Sequence, residues 1–311
     1  MTAHQKRLHA YCYRMLGSAH DADDAVQETL LAAWRGLGMF EGRSSLRSWL
    51  YRIATHACLR LAANRRRTLH HGPPRTSTDD LGQPVTEPVW LEPYPENELA
   101  DDTADPEARY QERESVELAF VAALQHLPAS QRAVQILREV LQFSAVEVAD
   151  ALDRSVAAVN SSLQRARKAM AGRQASDSQR AELGALGEPG RRELVAAFVR
   201  AWERADVPAM VGLLAEDARF SMPPLPAWFR GRDDVTRFMA ERMWATPWRL
   251  TPVRANGQLA FACYQRTAEG EPYRLGAINV VTLRGGRIAE LTGFLDPAVH
   301  RRFGLPAEYP A

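Results

Sequence analysis

The stretch from Phe143 to Met170 constrains the fold more than any other part of this sequence, because it leaves room for two helices with only a tight polar turn between them. Ser144 and Glu147 form the S-x-x-E capping box that begins a helix, and residues 153–155 break that helix and can cap the next. Apolar residues then recur every three or four positions and predict one buried stripe: Val156, Val159, Leu163, Ala166 and Met170. The pattern predicts a helix-turn-helix.

The outward face of the second helix is small near its start and polar and basic further along. Small residues let a helix approach a groove closely, whereas amide and cationic groups reach base edges and phosphates. This face consists of Ala157, Ala158, Ser161, Gln164, Arg165 and Lys168. A DNA-reading helix fits the face, but an ordinary amphipathic hairpin has the same pattern, so the rest of the chain has to decide between them.

The net charge of +1 hides blocks of opposite sign. Residues 1–76 hold 12 Lys and Arg against 5 Asp and Glu, residues 77–117 hold 2 against 13, and residues 118–176 hold 7 against 4. Two basic blocks joined by an acidic tether indicate two contacts with a polyanion and a tether that does not itself lie on DNA. Residues 177–311 are nearly neutral, with 18 basic against 16 acidic side chains.

Cysteine usage and hydropathy indicate the compartment. Cys12, Cys58 and Cys263 lie far apart without metal-ligand spacing, which is typical of small buried residues in a reducing environment. The chain has no apolar start of signal-peptide type and no run of about 18 apolar residues. We therefore expect a cytoplasmic protein without a membrane partner, a metal or a cofactor.

Residues 4–67 are expected to form several helices. One of them has an acidic cluster at its start, followed by apolar residues at helical spacing: Val26, Leu30, Trp34 and Leu37. Acidic residues are stabilising at a helix N-terminus. The same helix also presents a polar, negative face suited to a basic protein partner, made of Asp21, Asp24, Gln27 and Glu28. Both interpretations stay open at this point.

A further helix, about residues 45–64, is expected to bury Leu46, Trp49, Leu50, Ile53, Ala57 and Leu61. Its outward face then carries Ser48, Tyr51, Arg52 and Thr55, with His56 and Arg60 at the margins. Aromatic, hydroxyl and arginine groups on one basic face can hold unstacked bases as well as phosphates. A solvated helix surface is the alternative for each of these residues taken alone.

Two segments together are recognisable. DADDAVQETLLAAWRG with FEGRSSLRSWLYRIATHACL resembles region two of bacterial extracytoplasmic-function sigma factors, and residues 124–170 resemble their region four. The resemblance implies that region two binds the clamp of the RNA polymerase beta-prime subunit and captures the melted minus-10 element. It implies that region four docks on the beta flap and reads the minus-35 element, so the expected partners are core RNA polymerase and promoter DNA.

The resemblance also implies roles for individual residues. Polymerase docking would fall to Asp21, Asp24, Gln27 and Glu28. Minus-10 DNA would be bound by Arg43, Ser44, Ser45, Trp49, Arg52, His56 and Arg60, with residues 42–45 in the loop that traps a flipped base. Minus-35 DNA would be bound by Ser155, Ala157, Ala158, Ser161, Gln164, Arg165 and Lys168. Family members often have Asn in place of His56, which leaves the base preference there undetermined.

The segment between the two regions is rich in proline and acidic residues and is expected to lack a packed core of its own. In the sigma family the equivalent linker threads through polymerase near the active-site cleft. Trp90-Leu-Glu-Pro-Tyr94-Pro is more ordered in character than its neighbours. We expect its aromatic rings to pin the tether either to other parts of this protein or to polymerase.

The last third of the chain has a different pattern. A helix near residues 191–205, a strand near 218–222, a helix near 233–244 and strands at about 250–256, 258–267, 273–284 and 287–295 predict an α+β cone with an antiparallel sheet. Gly285-Gly286 predicts a two-residue hairpin turn with positive φ at both positions. The pattern, with FSMPPLPAWFRGRDDV and TGFLDPAVHRRFGLP, resembles the SnoaL-like domain that is fused to a subgroup of these sigma factors.

SnoaL-like domains enclose a pocket, and some are cyclases or isomerases. The candidate pocket residues are Trp202, Met222, Trp228, Phe229 and Trp244, which can equally form plain core, and Glu290 and Asp296 are candidate pocket acids. The sequence shows no paired-carboxylate or His/Asp spacing that is typical of a particular reaction, so no catalytic residue is predicted. A small-molecule ligand of this domain remains an open expectation.

The predicted protein is therefore multidomain, with two all-α sigma domains and a C-terminal α+β cone of SnoaL-like type. The expected boundaries are 1–70 for region two, 71–114 for the acidic linker, 115–173 for region four, 174–190 for a second linker and 191–311 for the cone. We expect a sigma factor that is not an enzyme, with the cone regulating it in cis. The alternatives are a bifunctional protein whose cone turns over a small metabolite, and a one-component regulator that uses only the helix-turn-helix.

Overall fold

The chain forms two compact units in a computed structural model that describes residues 3–42, 44–62, 67–68, 70, 72–85, 89–99, 115–171 and 178–310. The N-terminal unit comprises residues 1–67 and 96–176, and the C-terminal unit comprises residues 68–95 and 177–311. The acidic segment is thus divided, and its first part belongs to the C-terminal unit. Within the described ranges, no helix is both long and apolar enough to cross a bilayer.

The N-terminal unit is helical. Its elements are α1 (Ala3–Leu16), α2 (Ala19–Gly36), a 3-10 turn (Leu37–Met39), α3 (Leu46–Leu61), α4 (Leu118–Gln125), α5 (Ala129–Gln135), a π-helical turn (Ile136–Val140), α6 (Ala145–Ala151) and α7 (Val156–Met170). Helix α1 packs on α2, α3 and α4, and its Tyr11, Cys12 and Tyr13 are fully buried. Cys58 and Cys263 are buried as well, as expected for all three thiols.

The Arg132 guanidinium joins the first helix to the later helices. It is 3% exposed and donates to the carbonyl oxygens of Leu124, Gln125 and Leu127 at the end of α4, and to Met15 O at the end of α1. The last carbonyls of a helix lack an intrahelical partner and carry negative partial charge. One buried cation therefore satisfies the ends of two helices that are far apart in sequence.

Helix α3 is rotated relative to the sequence-based expectation. Leu46 is 52% and Leu61 39% exposed, whereas Tyr51 and Thr55, which were expected to face outward, are buried. The Thr55 hydroxyl lies 2.6 Å from the Tyr11 hydroxyl, and the Tyr51 ring packs edge-on against Tyr11 at 5.2 Å. The expected burial holds at Ala57 and is partial at Trp49, Leu50 and Ile53. It is wrong at the four other positions because buried polar partners on α1, which periodicity does not reveal, select the inward face.

The helix-turn-helix forms as predicted. The Ser144–Glu147 capping box begins α6, Ser155 caps α7, and Asp153 in the turn has φ +51°. Asp is one of the few non-glycine residues that tolerates this left-handed conformation. The predicted stripe is buried at Val159, Leu163, Ala166 and Met170, but Val156 is 39% exposed because it lies in the first turn of α7.

In its described residues, the C-terminal unit contains a six-stranded sheet, four α-helices and a 3-10 turn (Met243–Ala245). Its elements are α8 (Gln179–Glu203), α9 (Val207–Leu213), β3 (Leu214–Ser221), β4 (Trp228–Arg230), α10 (Arg232–Glu241), β5 (Trp248–Ala255), β6 (Gln258–Gln265), β7 (Arg274–Arg284), β8 (Arg287–Phe294) and α11 (Pro297–Arg302). Two short strands, β1 (Arg67–Thr68) and β2 (Val89–Trp90), pair separately. Helix α8 begins at Gln179, within the stretch expected as a second linker, and is interrupted at Gly187, whose φ is +63°.

The sheet order is β4-β3-β8-β7-β6-β5. Strands β5 to β8 form an antiparallel meander, whereas β3 and β8 are parallel, so the sheet is mixed rather than wholly antiparallel as expected. The last strand of the meander thus pairs with a strand that precedes β4, α10 and β5 to β7 in the sequence. Aromatic rings from α8, α10 and the sheet fill the core, with Phe198 stacked on Phe261 and Phe229 on Phe238, both at 4.4 Å.

The turn between β7 and β8 confirms the predicted hairpin. Gly285 and Gly286 have φ of +59° and +71°. Their amides donate to the two carboxylate oxygens of Glu182 on α8, at 2.8 and 3.0 Å. A carboxylate on the first turn of a helix thus anchors the turn of a distant hairpin.

Gly285→Ala should destabilise the C-terminal unit by about 1–2 kcal/mol, because a Cβ disfavours left-handed backbone. Gly285→Asn should cost less, since Asn tolerates positive φ and no heavy atom lies within 4 Å of the added Cβ. Calorimetric unfolding of the two variants beside the wild-type chain measures the difference. Equal losses for Ala and Asn would contradict the assignment of the cost to backbone conformation.

Candidate nucleic-acid interface

The outward face of α7 is available to a ligand. Ser155, Ala157, Ser161, Gln164, Arg165 and Lys168 are exposed, and Ala158 is half-buried. The Ser155 hydroxyl accepts from Ala158 N at 3.2 Å, so it is engaged as a helix cap. Arg165 Nη2 donates to Ser162 Oγ at 3.2 Å, which leaves most of its guanidinium donors to solvent. All seven minus-35 candidates therefore lie along one side of the helix or at its cap.

The α3 candidates lie beside the helix-turn-helix. Ser48 Oγ donates to Glu147 Oε1 at 2.9 Å, and Arg52 Nη2 donates to Asp153 Oδ1 at 2.7 Å. His56 Nε2 lies 3.8 Å from Asp153 Oδ2. The Ser144 backbone and hydroxyl, with Ser48 and Arg47, hold the pKa of the Glu147 carboxyl below its usual value, so this group is anionic at neutral pH.

A cleft of about 590 Å³ separates the two groups of residues. Its lining includes Phe40, Trp49 and Arg52 on one side and Asp150 and Asp153 on the other. The Phe40 and Trp49 rings lie 5.0 Å apart at 38°, and such a half-buried aromatic pair beside an arginine is suited to stacking of an unpaired base. Ser44 and Ser45 are exposed at its edge, Arg43 lies outside the described residues, and Arg60 is ion-paired with Glu28.

The polymerase-docking candidates lie on α2. Asp24, Gln27 and Glu28 are exposed, whereas Asp21 is half-buried and accepts from Arg67. Two apolar residues continue the same helical stripe at intervals of three and four: Leu31, 54% exposed, and Trp34, 76% exposed.

The adjacent turn adds Leu37 and Met39, which are 57% and 79% exposed. The sequence shows the helical spacing of Trp34 and Leu37 but not that both remain exposed among the described elements of the unit. Contiguous exposed apolar residues of this size are typical of protein interfaces. The α2 stripe, defined as Asp24, Gln27, Glu28, Leu31 and Trp34, therefore has the composition of a docking surface.

The candidate pocket residues of the C-terminal unit fall into two groups. Trp202, Met222 and Phe229 are buried in the core, and Trp244 packs against it. Trp228 instead contacts the acidic segment: its Nε1 donates to Gly72 O at 3.0 Å, and its ring lies 4.8 Å from the His70 ring. The buried donors without a hydrogen-bond partner among the described residues include Trp202 Nε1, Trp244 Nε1 and Asn279 Nδ2.

The part of the acidic segment in the C-terminal unit is held by several further contacts. Arg237 Nη2 donates to Thr76 O at 2.6 Å, and Thr78 Oγ1 donates to Glu241 Oε2 at 2.6 Å. Tyr94 is fully buried, and its amide donates to Asn256 Oδ1 at 2.8 Å. The segment expected to lack its own core thus packs on the core of the C-terminal unit, and the Trp90–Pro95 motif is pinned there.

The fold defines a class of protein with two helical modules, one of them a helix-turn-helix, and an appended α+β domain. Models of known families agree with this description: Sigma-70 region 2 matches residues 1–68, Sigma-70 region 4 matches residues 117–170, and a SnoaL-like domain matches residues 195–291.

The chain is 44% identical over 310 residues to the ECF RNA polymerase sigma factor SigG of Mycobacterium tuberculosis, covering 97% of this chain and 82% of that protein. It is 26% identical over 307 residues to SigJ of the same organism, covering 94% and 89%. The crystal structure of SigJ matches with a TM-score of 0.60 at 22% identity, covering 97% of this chain and 96% of that one.

The chain belongs to the extracytoplasmic-function sigma factors. These are transcription initiation factors and not enzymes, and the C-terminal SnoaL-like domain is not shown to be catalytic.

Arg165→Ala should weaken binding to a cognate minus-35 element by about 1–3 kcal/mol if the guanidinium reads a base, and should relax discrimination at one base pair. The measurement is binding of the holoenzyme to a panel of promoters altered singly in that element. An equal loss on every promoter would assign Arg165 to a phosphate instead.

Proposed function

We propose that this chain binds core RNA polymerase and directs initiation at specific promoters, with the α3 face reading the minus-10 element and the α7 face the minus-35 element. Family membership carries this proposal, and the exposed basic face of α7 supports the second contact. The division of labour follows from the chemistry. A duplex element is read by a helix in the major groove, whereas a melted element needs stacking groups such as Phe40 and Trp49.

Run-off transcription with core polymerase tests this function directly. Promoters selected from a random library by the reconstituted holoenzyme should yield transcripts that depend on the added chain. Absence of any dependent transcript, with a known sigma factor active in the same assay, would reject the proposal.

The α2 stripe is the proposed docking surface for the beta-prime clamp. Its acidic and amide residues would steer a basic partner, and the exposed Leu31 and Trp34 would supply the buried area that dominates interface energies. Glu28 of this stripe forms an ion pair with Arg60 at the margin of the α3 face. The proposed docking surface and the proposed minus-10 surface are therefore adjacent on the same unit.

Asp24→Arg should weaken core polymerase binding at least tenfold, because it places a cation on a surface proposed to meet cations. Glu193→Arg, the same change at an exposed position of α8, is the matched control and should bind normally. Equilibrium binding to labelled core polymerase gives both values. Normal binding by the Asp24 variant would contradict the docking assignment.

The C-terminal unit is proposed to regulate initiation in cis by holding part of the acidic segment. Backbone contacts support a specific path: Arg75 N donates to Trp228 O at 2.7 Å and Val85 N to Pro224 O at 3.0 Å. In sigma factors the segment between the two regions has to follow a path through polymerase. A segment retained by the C-terminal unit is unavailable for that path until it is released.

The proposal includes a small-molecule ligand that binds in the core of the C-terminal unit. Trp202 Nε1 and Asn279 Nδ2 are buried donors without a partner among the described residues, and an unsatisfied buried donor costs about 1–3 kcal/mol. A small apolar molecule with a carbonyl or carboxylate oxygen would satisfy such donors. Binding of such a molecule would couple to the acidic segment through α10, which carries Arg237 and Glu241.

Trp228→Ala should release the segment near Gly72, since it removes both the indole donor and the ring beside His70. Amide exchange in residues 72–78 should accelerate, and run-off output should change. Trp228→Phe keeps a ring and should give an intermediate result. Faster exchange with unchanged output would contradict regulation by the held segment.

A further inference from the structure

The helix-turn-helix occupies the cationic side of α3. Arg47 Nη2 donates to Leu141 O at 2.8 Å, and its guanidinium lies 4.4 Å from the centre of the Phe143 ring. Arg52 binds Asp153, and His56 lies beside the same carboxylate. Three successive turns of α3 thus direct a cationic or titratable group to the segment around the turn.

The carboxylates that contact α3 would compete with nucleic acid for the same hydrogen-bond donors. A carboxylate presents oxygen acceptors and negative charge to a guanidinium in the same way as a phosphate does. Arg52 and Ser48 donate to Asp153 and Glu147, so these particular donors are not available to a DNA strand at the same time. Glu147 remains ionised at neutral pH, because its pKa is held low chiefly by the hydrogen bonds from Ser144.

Among the described residues, the side chain of Asp153 contacts α3 and not the helices on either side of the turn. Its carboxylate contacts Arg52 and lies beside His56, whereas the neighbouring helices are capped by Ser144 with Glu147 and by Ser155. It adopts a left-handed backbone that most residues avoid. The turn therefore requires of position 153 a tolerance for positive φ, which Asn and Gly share, whereas the charge of the carboxylate is used in the contact with Arg52.

The same cleft includes the start of the DNA-reading helix. Asp153, Arg154 and Ser155 line it opposite Trp49 and Arg52. The two proposed DNA-binding faces therefore meet across one cleft and limit each other's access. A promoter strand entering the α3 side has to displace the turn that leads into α7.

We infer that the turn of the helix-turn-helix is an intramolecular inhibitor of the minus-10 face, with Asp153 acting as a phosphate mimic on Arg52 and His56. The inference rests on the proposed minus-10 role of α3. Arg52 and Asp153 are 45% and 62% exposed, and exposed ion pairs are weak and screened by salt. The closed state is therefore easily opened when polymerase binds and separates the two regions.

The test compares Asp153→Asn with Asp150→Asn in the full-length chain. Both variants remove one negative charge from the lining of the same cleft, but Asp150 is exposed and has no ion pair among the described contacts. Asn keeps the tolerance for positive φ at position 153, and Asp153→Gly is a second variant with the same tolerance.

Two readouts separate closure from DNA binding. Amide exchange in residues 46–61 reports release of α3, and fluorescence anisotropy with a labelled 20-nucleotide single-stranded DNA of mixed sequence reports access to its face. Both Asp153 variants should accelerate exchange and tighten DNA binding about two- to fivefold relative to Asp150→Asn, as expected for loss of one exposed ion pair.

Exchange and binding equal to those of Asp150→Asn would overturn the inference, because the charge at position 153 would then have no specific effect. Faster amide exchange without tighter DNA binding would also overturn the inference, because release of α3 would then not expose a DNA-binding surface. That second outcome would also count against the minus-10 assignment, whereas polymerase binding and run-off activity of the wild-type chain are measured independently.

Discussion

The packing of the N-terminal unit depends on the buried guanidinium of Arg132. Arg132 has lost its hydration and is compensated by carbonyl oxygens at the ends of α1 and α4. A buried charge without such partners would be strongly destabilising, so the arrangement is stable only when both helix ends are in place. The interaction with Met15 joins segments more than 100 residues apart in the sequence.

The position of the helix-turn-helix determines what α3 can do. Tyr51 lies between Tyr11 on α1 and Phe143 ahead of α6, with ring centres 5.2 and 5.3 Å away. This packing turns Arg52 and Ser48 towards the acidic turn and leaves the Phe40–Trp49 pair at the edge of the cleft. The same contacts that stabilise the unit thus cover part of its proposed DNA-binding surface.

In the C-terminal unit, too, contacts between distant parts of the sequence hold a segment in place. Strand β4 and helix α10 present Trp228, Arg237 and Glu241, whose side chains hold the acidic segment along residues 72–78. Thr78, Leu91 and Tyr94 of this segment are buried, whereas residues 72–77 are held by these contacts but remain exposed. The contacts that hold the segment on the C-terminal unit are also those through which we propose that this unit regulates initiation.

The sequence alone determined the elements whose signals are local. The capping box at Ser144, the period of α7 and the paired glycines of the β7–β8 turn depend on residues a few positions apart, and all three form as predicted. Only the tertiary structure decided which side of α3 is inward, that β3 runs parallel to β8, and that Trp34 remains exposed. These outcomes depend on partners distant in the sequence, such as the Tyr11 hydroxyl for Thr55, and periodicity carries no information about such partners.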